Sequence, residues 1–473
     1  MSNLDLHPDR LATTDERGRR VYLYVAEVTG YFRRKRTLVQ FVLMIVFLVL
    51  PWIRINGSQA ILLDIMNRHF EIFGLSLRAH NTPLLFLVIA AFAFGLLFVT
   101  AGWGRVWCGW ACPQTVFVDG VFRRIEHWTE GSHLARRKLD SLPWTFTKFR
   151  KRGLKWVLFT LASLITTHSF LAYFVGTETL RLMVMSSPVD NWGSFLFMAI
   201  SSAFILFNFG WFREQFCTIA CPYGRLQSVL MDEHSMIVAY DQKRGEPRAT
   251  PQAKAITKIR GTSLGDCVNC YRCVQVCPAG IDIRRGLQLE CIACTACIDA
   301  CDDIMTKVQK PKGLIRFDTQ VGLSGGKKKL WRPRVTIYLA AMLIASTALV
   351  ALVATMKPVD IVLLRAKDTP YLVDQVDGQT TITNHFKIEV SNQSGSTQQI
   401  NFEPEDQQIK VISVQNNSEI APQQDARLDF FVRFPKTLLI TGRAQSYLVI
   451  KHVDKNTLTE TLVRKELLLV GPF

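Results

Sequence analysis

Cysteines carry the clearest chemical pattern in this 473-residue sequence. The run Cys267-x2-Cys270-x2-Cys273-x3-Cys277 ends in Pro278, and Cys291-x2-Cys294-x2-Cys297-x3-Cys301 follows it. A [4Fe–4S] cluster takes four thiolates, and in two-run proteins the fourth cysteine of each run ligates the other cluster. The spacing therefore predicts two [4Fe–4S] clusters with crossed ligands. One set is Cys267, Cys270, Cys273 and Cys301, and the other is Cys291, Cys294, Cys297 and Cys277.

The second run departs from the ferredoxin pattern at its end, because Cys301 is followed by Asp302 instead of proline. Structural zinc also uses Cys-x2-Cys pairs and is the alternative. Two tandem four-cysteine runs of this spacing favour iron–sulfur clusters over zinc. We expect the two clusters to lie near each other and to pass single electrons.

Four further cysteines form two matching pairs. They are Cys108-x3-Cys112-Pro113 and Cys217-x3-Cys221-Pro222, each preceded by Gly-Trp and an arginine. Cysteines four apart share one face of a helix. The following proline disfavours helix at the second cysteine, so each pair should lie where a helix ends. Two related hairpins could thus bring four thiolates together.

Soft thiolates select Cu(I), zinc or iron–sulfur clusters. Cys108, Cys112, Cys217 and Cys221 are therefore candidates to hold one of these three together. Nearby Arg105 and Arg213 would keep the thiols ionised. The alternative is that these cysteines are small buried residues at helix ends.

Three other side chains are weaker candidates for metal binding. Glu126 and His127 could be harder ligands for incoming Cu(II). His168 lies inside an apolar stretch, where a buried hydrogen-bonded histidine is the more common interpretation.

The elements that must position these residues are apolar stretches close to the ~20 residues that a membrane helix needs. Each is bounded by charged residues and contains none, and a buried helix of a soluble protein would show a polar stripe. The five stretches are Leu38–Ile53, Pro83–Trp103, Trp156–Thr177, Asn191–Phe212 and Val335–Met356.

The basic residues between the stretches predict their orientation. Lys and Arg number 8 in residues 1–36, 3 in 54–82, 10 in 104–153, 1 in 178–190 and 20 in 213–334. Basic loops stay in the cytoplasm. The N-terminus and both thiol regions are therefore expected in the cytoplasm, and residues 357–473 in the periplasm.

Composition agrees with a membrane protein carrying soluble parts. Hydrophobic residues make up 49% and charged residues 20%, which excludes a disordered chain. The net charge of +17 lies entirely in residues 1–356. Because it is explained by basic loops beside anionic lipid, it does not indicate nucleic-acid binding. The sequence has no Gly-x-Gly-x-x-Gly fingerprint for a dinucleotide.

The C-terminal residues change to a strand pattern. Short alternating or β-rich segments are separated by turn residues, which is typical of an antiparallel β-sandwich. The segments are Phe386–Val390, Ile409–Val414, Leu428–Val432, Tyr447–Ile450 and Leu462–Leu469.

The predicted organisation has five parts. A tail (1–36) precedes a four-helix membrane part of two related hairpins (37–213). A loop (214–334) holds a ferredoxin-like domain at about 258–310. A fifth membrane helix (335–356) then leads to an immunoglobulin-like sandwich (357–473).

With these motifs in combination, the sequence resembles the cytochrome c oxidase accessory proteins of the CcoG/RdxA/FixG type over nearly its whole length. The resemblance implies a cupric reductase of the bacterial inner membrane that assists assembly of the copper centre of cbb3-type cytochrome oxidase. The family's cysteine pairs correspond to Cys108, Cys112, Cys217 and Cys221, so the resemblance implies that these four residues form the catalytic copper site.

Partners follow from the same resemblance. They are membrane lipid, an unidentified electron donor, and copper-transport and oxidase-assembly proteins. A second copy of the chain is a further candidate partner. Two other functions stay open at this point: an electron relay between quinol and a partner protein, and a non-enzymatic assembly factor that senses redox state.

Overall fold

The computed structural model describes residues 13–15, 17, 19–55, 58–66, 69–77, 82–250, 264–355, 359–366, 369–376, 379–392, 394, 396–413, 418–422, 424–455 and 459–472. The chain divides into two compact units. One comprises Met1–Ile53, Gln59–Arg68 and Asn81–Val350, and the other comprises Arg54–Ser58, His69–His80 and Ala351–Phe473. The predicted boundaries at residues 258 and 357 and the strand end at Val414 lie outside the described residues.

Five helices among the described residues are long and apolar enough to cross a membrane, as predicted. They are Tyr31–Trp52, Pro83–Trp103, Phe146–Val175, Trp192–Phe212 and Pro333–Ala354.

The third of these helices begins ten residues before its apolar stretch. The Oγ1 atom of Thr145 accepts a hydrogen bond from the Lys148 amide at 3.3 Å and caps the helix. The intervening lysines and arginines are good helix formers, so they extend the helix and do not end it. Charge marks where the apolar part begins, whereas the cap marks where the helix begins.

Short elements connect the membrane helices of the first unit. The α-helices are Val106–Trp110, Pro113–Phe117, Arg123–Glu130, His133–Ser141, Thr177–Met185, Pro222–Leu230, Gln242–Gly245, Arg272–Gln275, Ala296–Lys307 and Gln320–Ser324. π-Helical turns cover Val118–Phe122, Leu206–Phe212 and Phe216–Ala220, and 3-10 turns cover Leu50–Trp52 and Ile283–Arg285. The short strands between the first two membrane helices are Arg54–Ile55, Ser58–Gln59, Ile61–Asp64, His69–Ile72 and Leu75–Leu77, of which Arg54–Ile55, His69–Ile72 and Leu75–Leu77 belong to the second unit.

The ferredoxin-like part, residues 264–318, has its own small core. Strand Ile237–Tyr240 pairs antiparallel with strand Ile315–Asp318. Buried aliphatic side chains, including Ile281, Ile298 and Leu314, pack beside the cysteine runs. This core fixes both cysteine loops on one rigid support.

Buried ion pairs lie between the first membrane helix and the helices that follow the second. Asp119 contacts Arg36 and Arg123, each at 2.5 Å. Glu126 contacts Arg213 at 2.6 Å and Arg136 at 2.9 Å. A buried carboxylate is tolerated only when it is paired and hydrogen-bonded, and the carboxylates of Asp119 and Glu126 both meet this condition.

The C-terminal part of the second unit is the predicted β-sandwich. One sheet has the order Lys410–Ser413, Asp425–Pro435, Gln379–Asn392, Val359–Arg365, and Leu372–Val376 also pairs with Gln379–Asn392. The other sheet has the order Ser418–Ile420, Gln398–Pro404, Arg443–Asp454, Glu460–Val470. A 3-10 turn covers Lys436–Leu438.

Side chains from both sheets fill the space between them. Phe430 of one sheet stacks on Phe402 of the other with ring centroids 5.8 Å apart, and Phe430 is fully buried. Ile388 and Leu448 belong to the same core. Four of the five strand segments predicted from the sequence lie within strands, and the fifth, Ile409–Val414, contains the strand Lys410–Ser413. Gln398–Pro404 was missed because only Ile400 and Phe402 interrupt its polar pattern.

Candidate functional site

The two cysteine loops of the ferredoxin-like part share an unusual backbone. In each loop, non-glycine residues with positive φ flank the middle cysteine: Asn269 (51°) and Tyr271 (57°) beside Cys270, and Ala293 (52°) and Thr295 (66°) beside Cys294. Few non-glycine residues adopt this region, and they concentrate at functional sites. The repeated geometry curls each loop around its cysteines.

Each run contributes three cysteines to one cavity and its fourth to the other. One cavity of about 360 Å³ is lined by Cys267, Cys270, Cys273 and Cys301. The other, of about 370 Å³, is lined by Cys277, Cys291, Cys294 and Cys297, with Cys273 also at its wall. The eight cysteines are thus grouped in the two sets expected from the spacing. That each set ligates one cluster stays a prediction.

The walls and donors of both cavities suit iron–sulfur clusters. Apart from the cysteines the walls are mainly aliphatic, with Ile281 and Ile283 at one cavity and Leu314 and Ile315 at the other. Burial raises the pKa of Cys291 to about 11. Such a thiol is protonated at neutral pH, so a bound cluster must displace its proton. Soft sulfur donors in a dry, apolar cavity are what a [4Fe–4S] cluster requires.

The other two cysteine pairs occupy equivalent positions after the second and fourth membrane helices. Cys112 precedes helix Pro113–Phe117 with φ −60° and ψ 128°, and Cys221 precedes helix Pro222–Leu230 with φ −74° and ψ 113°. Both have extended backbone, as expected for a residue before proline. Each pair therefore lies at a break between two helical segments.

Hydrogen bonds orient the first pair. The Nε2 atom of Gln227, a fully buried residue, donates to the Cys108 sulfur at 2.9 Å. The backbone amides of Gln114 and Thr115, at the start of a helix, donate to the Cys112 sulfur. Donors of this kind favour the thiolate form. No sequence motif marks Gln227, which lies 119 residues from Cys108.

The four thiols lie within electrostatic range of one another without forming a closed cage. Burial raises the pKa of Cys108 to about 11, and the Cys112 and Cys221 thiolates act in the same direction. Burial likewise raises the pKa of Cys217, reinforced by Cys112 and Cys108. Among the described residues, no three cysteine, histidine or carboxylate side chains are close enough to hold a single ion together.

Arg105 and Arg213 do not keep the thiols ionised as predicted. Arg105 donates to the backbone oxygens of Leu289 and Gly224, and its effect on Cys108 is smaller than that of burial. Arg213 is paired with Glu126. Arg105 therefore lowers the pKa of Cys108, in the predicted direction, but burial outweighs it, and Arg213 is committed to Glu126.

Glu126 is not available as a copper ligand. It is 1% exposed, it accepts a 2.7 Å hydrogen bond from Tyr22, and it is paired with Arg213. Burial would raise the pKa of Glu126, but Arg213 and the hydrogen bonds hold it at about 2. The carboxylate is a fixed structural anion, which corrects the sequence-based prediction.

The two histidine candidates also have protein partners. The Nδ1 atom of His127 lies 2.7 Å from the Glu27 carboxylate. His168 Nδ1 lies 2.8 Å from the Leu164 backbone oxygen, one turn earlier in the same helix. This contact agrees with a hydrogen-bonded histidine inside the helix.

The Cys108 region packs directly on one of the cysteine loops. Cys108 lies against a buried apolar cluster that includes Ile292, Cys294 and Ala296. Ile292 also lines the 370 Å³ cavity. The first thiol pair and the second cysteine run are therefore neighbours in one packed core.

Three family models match the chain. A 4Fe-4S binding domain matches residues 83–140, a 4Fe-4S dicluster domain matches residues 212–320, and the immunoglobulin-like fold at the C-terminus of FixG matches residues 349–472. The first match includes Cys108 and Cys112, and the second includes the other ten cysteines. The iron–sulfur character and the immunoglobulin-like fold are thereby confirmed.

Similar proteins cover most of the chain. Protein RdxA of Cereibacter sphaeroides is 34% identical over 80% of this chain and 80% of its own length. Protein RdxB of the same organism is 35% identical over 83% and 82%. Nitrogen fixation protein FixG of Rhizobium meliloti is 39% identical over 64% of this chain and 58% of its own length. The chain belongs to the RdxA/FixG family of membrane-bound iron–sulfur oxidoreductases.

Proposed function

We propose that this protein reduces Cu(II) to Cu(I) at the four thiols Cys108, Cys112, Cys217 and Cys221. The observation that carries the proposal is the packing of Cys108 against the buried cluster that contains Ile292 and Cys294 of the second cysteine run. Iron–sulfur clusters held by the eight ferredoxin-type cysteines would supply single electrons. The balanced step is one electron added to one Cu(II) ion, with no atom transferred.

The thiol site favours the product, Cu(I), over the substrate, Cu(II). Thiolates bind Cu(I) in preference to harder ions, so copper held there is easier to reduce. Gln227 holds Cys108 in place through its 2.9 Å hydrogen bond, and the helix-start amides hold Cys112.

The biological use of the product follows from the family resemblance. We propose that Cu(I) is passed to copper-transport and assembly proteins that build the copper centre of cbb3-type cytochrome oxidase. The protein would lie in the bacterial inner membrane with its N-terminus and ferredoxin-like part in the cytoplasm and its sandwich in the periplasm. The electron donor would be a cytoplasmic or membrane one-electron reductant.

The experiment is a Cu(II) reduction assay on purified protein that is first reduced with dithionite and then desalted anaerobically, with a Cu(I)-specific chelator as the readout. The double variant Cys108→Ala/Cys112→Ala should lose Cu(II) reduction and keep its iron. Thr218→Ala is the matched control, because Thr218 lies between Cys217 and Cys221 and its hydroxyl donates only to the Gln215 backbone oxygen among the described contacts. Full Cu(II) reduction in the double variant would reject the thiol site.

A third iron–sulfur cluster is the second candidate for these thiols. The match of residues 83–140 to a 4Fe-4S binding domain favours it, because Cys108 and Cys112 are the cysteines in that range. Wild-type protein would then hold about twelve iron atoms, against about eight for two clusters of four irons each. The double variant would lose iron together with activity, and the chain would be an electron relay.

A further inference from the structure

We infer that electrons leave the ferredoxin-like part through the contact between Cys108–Gly109 and Ile292–Ala293, and that Gly109 is the positioning residue that makes this contact close enough. The inference rests on the proposed function and adds a route to it. No sequence motif marks the contact, because its two sides are more than 180 residues apart. The route is a property of the folded unit.

The absence of a side chain at Gly109 is required by its neighbour. A Cβ atom at this position would lie 2.4 Å from the Ile292 backbone oxygen and 2.9 Å from the Ala293 carbonyl carbon. Both are backbone atoms, so neither can turn away as a flexible side chain would. Gly109 lies within helix Val106–Trp110 and its φ is not positive, so backbone conformation does not explain the glycine. Close approach explains it.

Two arginines hold the contact from either side. The Nε atom of the buried residue Arg36 donates to the Gly109 backbone oxygen at 2.7 Å. Arg105 donates to the Leu289 backbone oxygen, just before the second cysteine run. The segment carrying Gly109 and the loop carrying Ile292 are thus tied to the same membrane-proximal framework.

A second joint holds the ferredoxin-like part against the first membrane helix. The Asp299 carboxylate accepts hydrogen bonds from the backbone amides of Phe32 at 3.2 Å and Arg33 at 2.7 Å. A Cβ atom on Gly30 would lie 2.3 Å from the Asp299 Cγ atom. Asp299, from helix Ala296–Lys307, therefore caps the start of the first membrane helix, where a carboxylate is favoured.

The contact also gives the route a direction. Cys270, at the 360 Å³ cavity, is the one exposed cysteine of the twelve, all of which are described. Cys294, at the other cavity, is buried and belongs to the cluster against which Cys108 packs. A one-electron reductant can approach the Cys270 side, and the Cys108 side faces the thiol site. The reductant is oxidised when it gives up one electron on the Cys270 side, and that electron reduces Cu(II) to Cu(I) at the thiol site.

The variant Gly109→Ala tests this inference, with Gly120→Ala as the matched control. Among the described atoms, none lies within 4 Å of a Cβ placed on Gly120, and its φ is not positive. Protein reduced with dithionite and desalted is mixed with Cu(II), and Cu(I) formation is followed in a single turnover. Gly109→Ala should slow this step severalfold, because the added methyl group must push the Cys108 segment away from the Ile292 backbone and lengthen the path of the electron.

Two measurements do not depend on catalysis. Iron content and the paramagnetic resonance spectrum of reduced Gly109→Ala should match wild type, because no ligand changes. Hydrogen–deuterium exchange of peptides covering residues 288–296 should become faster in Gly109→Ala and stay unchanged in Gly120→Ala. Wild-type transfer and exchange in Gly109→Ala would overturn the inference. Failure of wild-type protein to reduce Cu(II) would instead overturn the proposed function.

If Gly109→Ala loses its iron, the variant Asp299→Asn tests the inference in its place. It weakens the second joint through a nearly isosteric change, so iron should stay bound while residues 30–36 exchange faster and transfer slows. Unchanged transfer together with faster exchange would show that docking does not set the rate, and would overturn the inference.

Discussion

At the scale of single residues, the crossed grouping of the eight ferredoxin-type cysteines makes a sharp prediction. Cys277 is in the first run but lines the cavity of the second, and Cys301 does the reverse. Cys277→Ala should therefore remove the same paramagnetic signal as Cys294→Ala, because both would ligate one cluster. Cys301→Ala should remove the signal that Cys270→Ala removes.

The comparison of these spectra needs anaerobic protein and an iron analysis of each variant. Each single variant should retain at least the iron of the unaffected cluster, which is about four atoms. If Cys277→Ala matched Cys270→Ala instead, ligands would not cross between the runs.

Some functional residues could be read from the sequence and others could not. The cysteine spacing predicted the two sets, because a fixed gap limits which sulfurs can converge. Gln227, Gly109 and Asp299 act across more than 70 residues of chain, and each acts through a contact that depends on tertiary packing. The partners of Arg105 and Arg213 could not be predicted, because proximity in sequence says nothing about the backbone oxygen or carboxylate that a guanidinium group meets.

At the scale of elements, a buried ion pair between Glu126 and Arg213 joins helix Arg123–Glu130 to the end of the fourth membrane helix. Glu126→Gln should lower the free energy of unfolding by about 3–5 kcal/mol, because it leaves the Arg213 charge buried without its partner. Chemical unfolding in detergent measures the effect. Asp303→Asn is the control, because its pair with Lys307 is exposed and should contribute at most about 1 kcal/mol.

The same pair predicts an acid limit for stability. The pKa of Glu126 in the folded protein is about 2, below its ordinary value, so the folded state favours the carboxylate. Its contribution is therefore present above about pH 4 and lost as the pH falls towards 2. The difference in stability between wild type and Glu126→Gln should shrink over that window. A difference that stayed constant would contradict the assigned charge.

Element boundaries were predictable where composition sets them and not where capping does. The second membrane helix begins and ends as its apolar stretch does. The third begins at Phe146 because Thr145 caps it. Eight residues of the helix separate Phe146 from Lys155, the last lysine before the apolar stretch. Among the strands, Gln398–Pro404 was not predicted because only two of its residues are large and apolar.

At the scale of the whole molecule, orientation in the membrane is a prediction from the 8, 3, 10, 1 and 20 basic residues in successive segments. Alkaline phosphatase, which is active only in the periplasm, should be active when fused after Pro358 and inactive when fused after Lys310. The reverse pattern would place the thiol site and the ferredoxin-like part in the periplasm. Immunoblots for equal expression provide the control.

The central claim is that electrons held by the ferredoxin-like part reach copper at the thiol site. The most direct measurement is anaerobic titration of dithionite-reduced, desalted protein with Cu(II), counting the Cu(I) that forms. Two one-electron clusters predict about two Cu(I) per wild-type chain, and Cys108→Ala/Cys112→Ala should give almost none while keeping about eight iron atoms. An equal Cu(I) yield from the variant, or none from wild type with its clusters reduced, would contradict the claim.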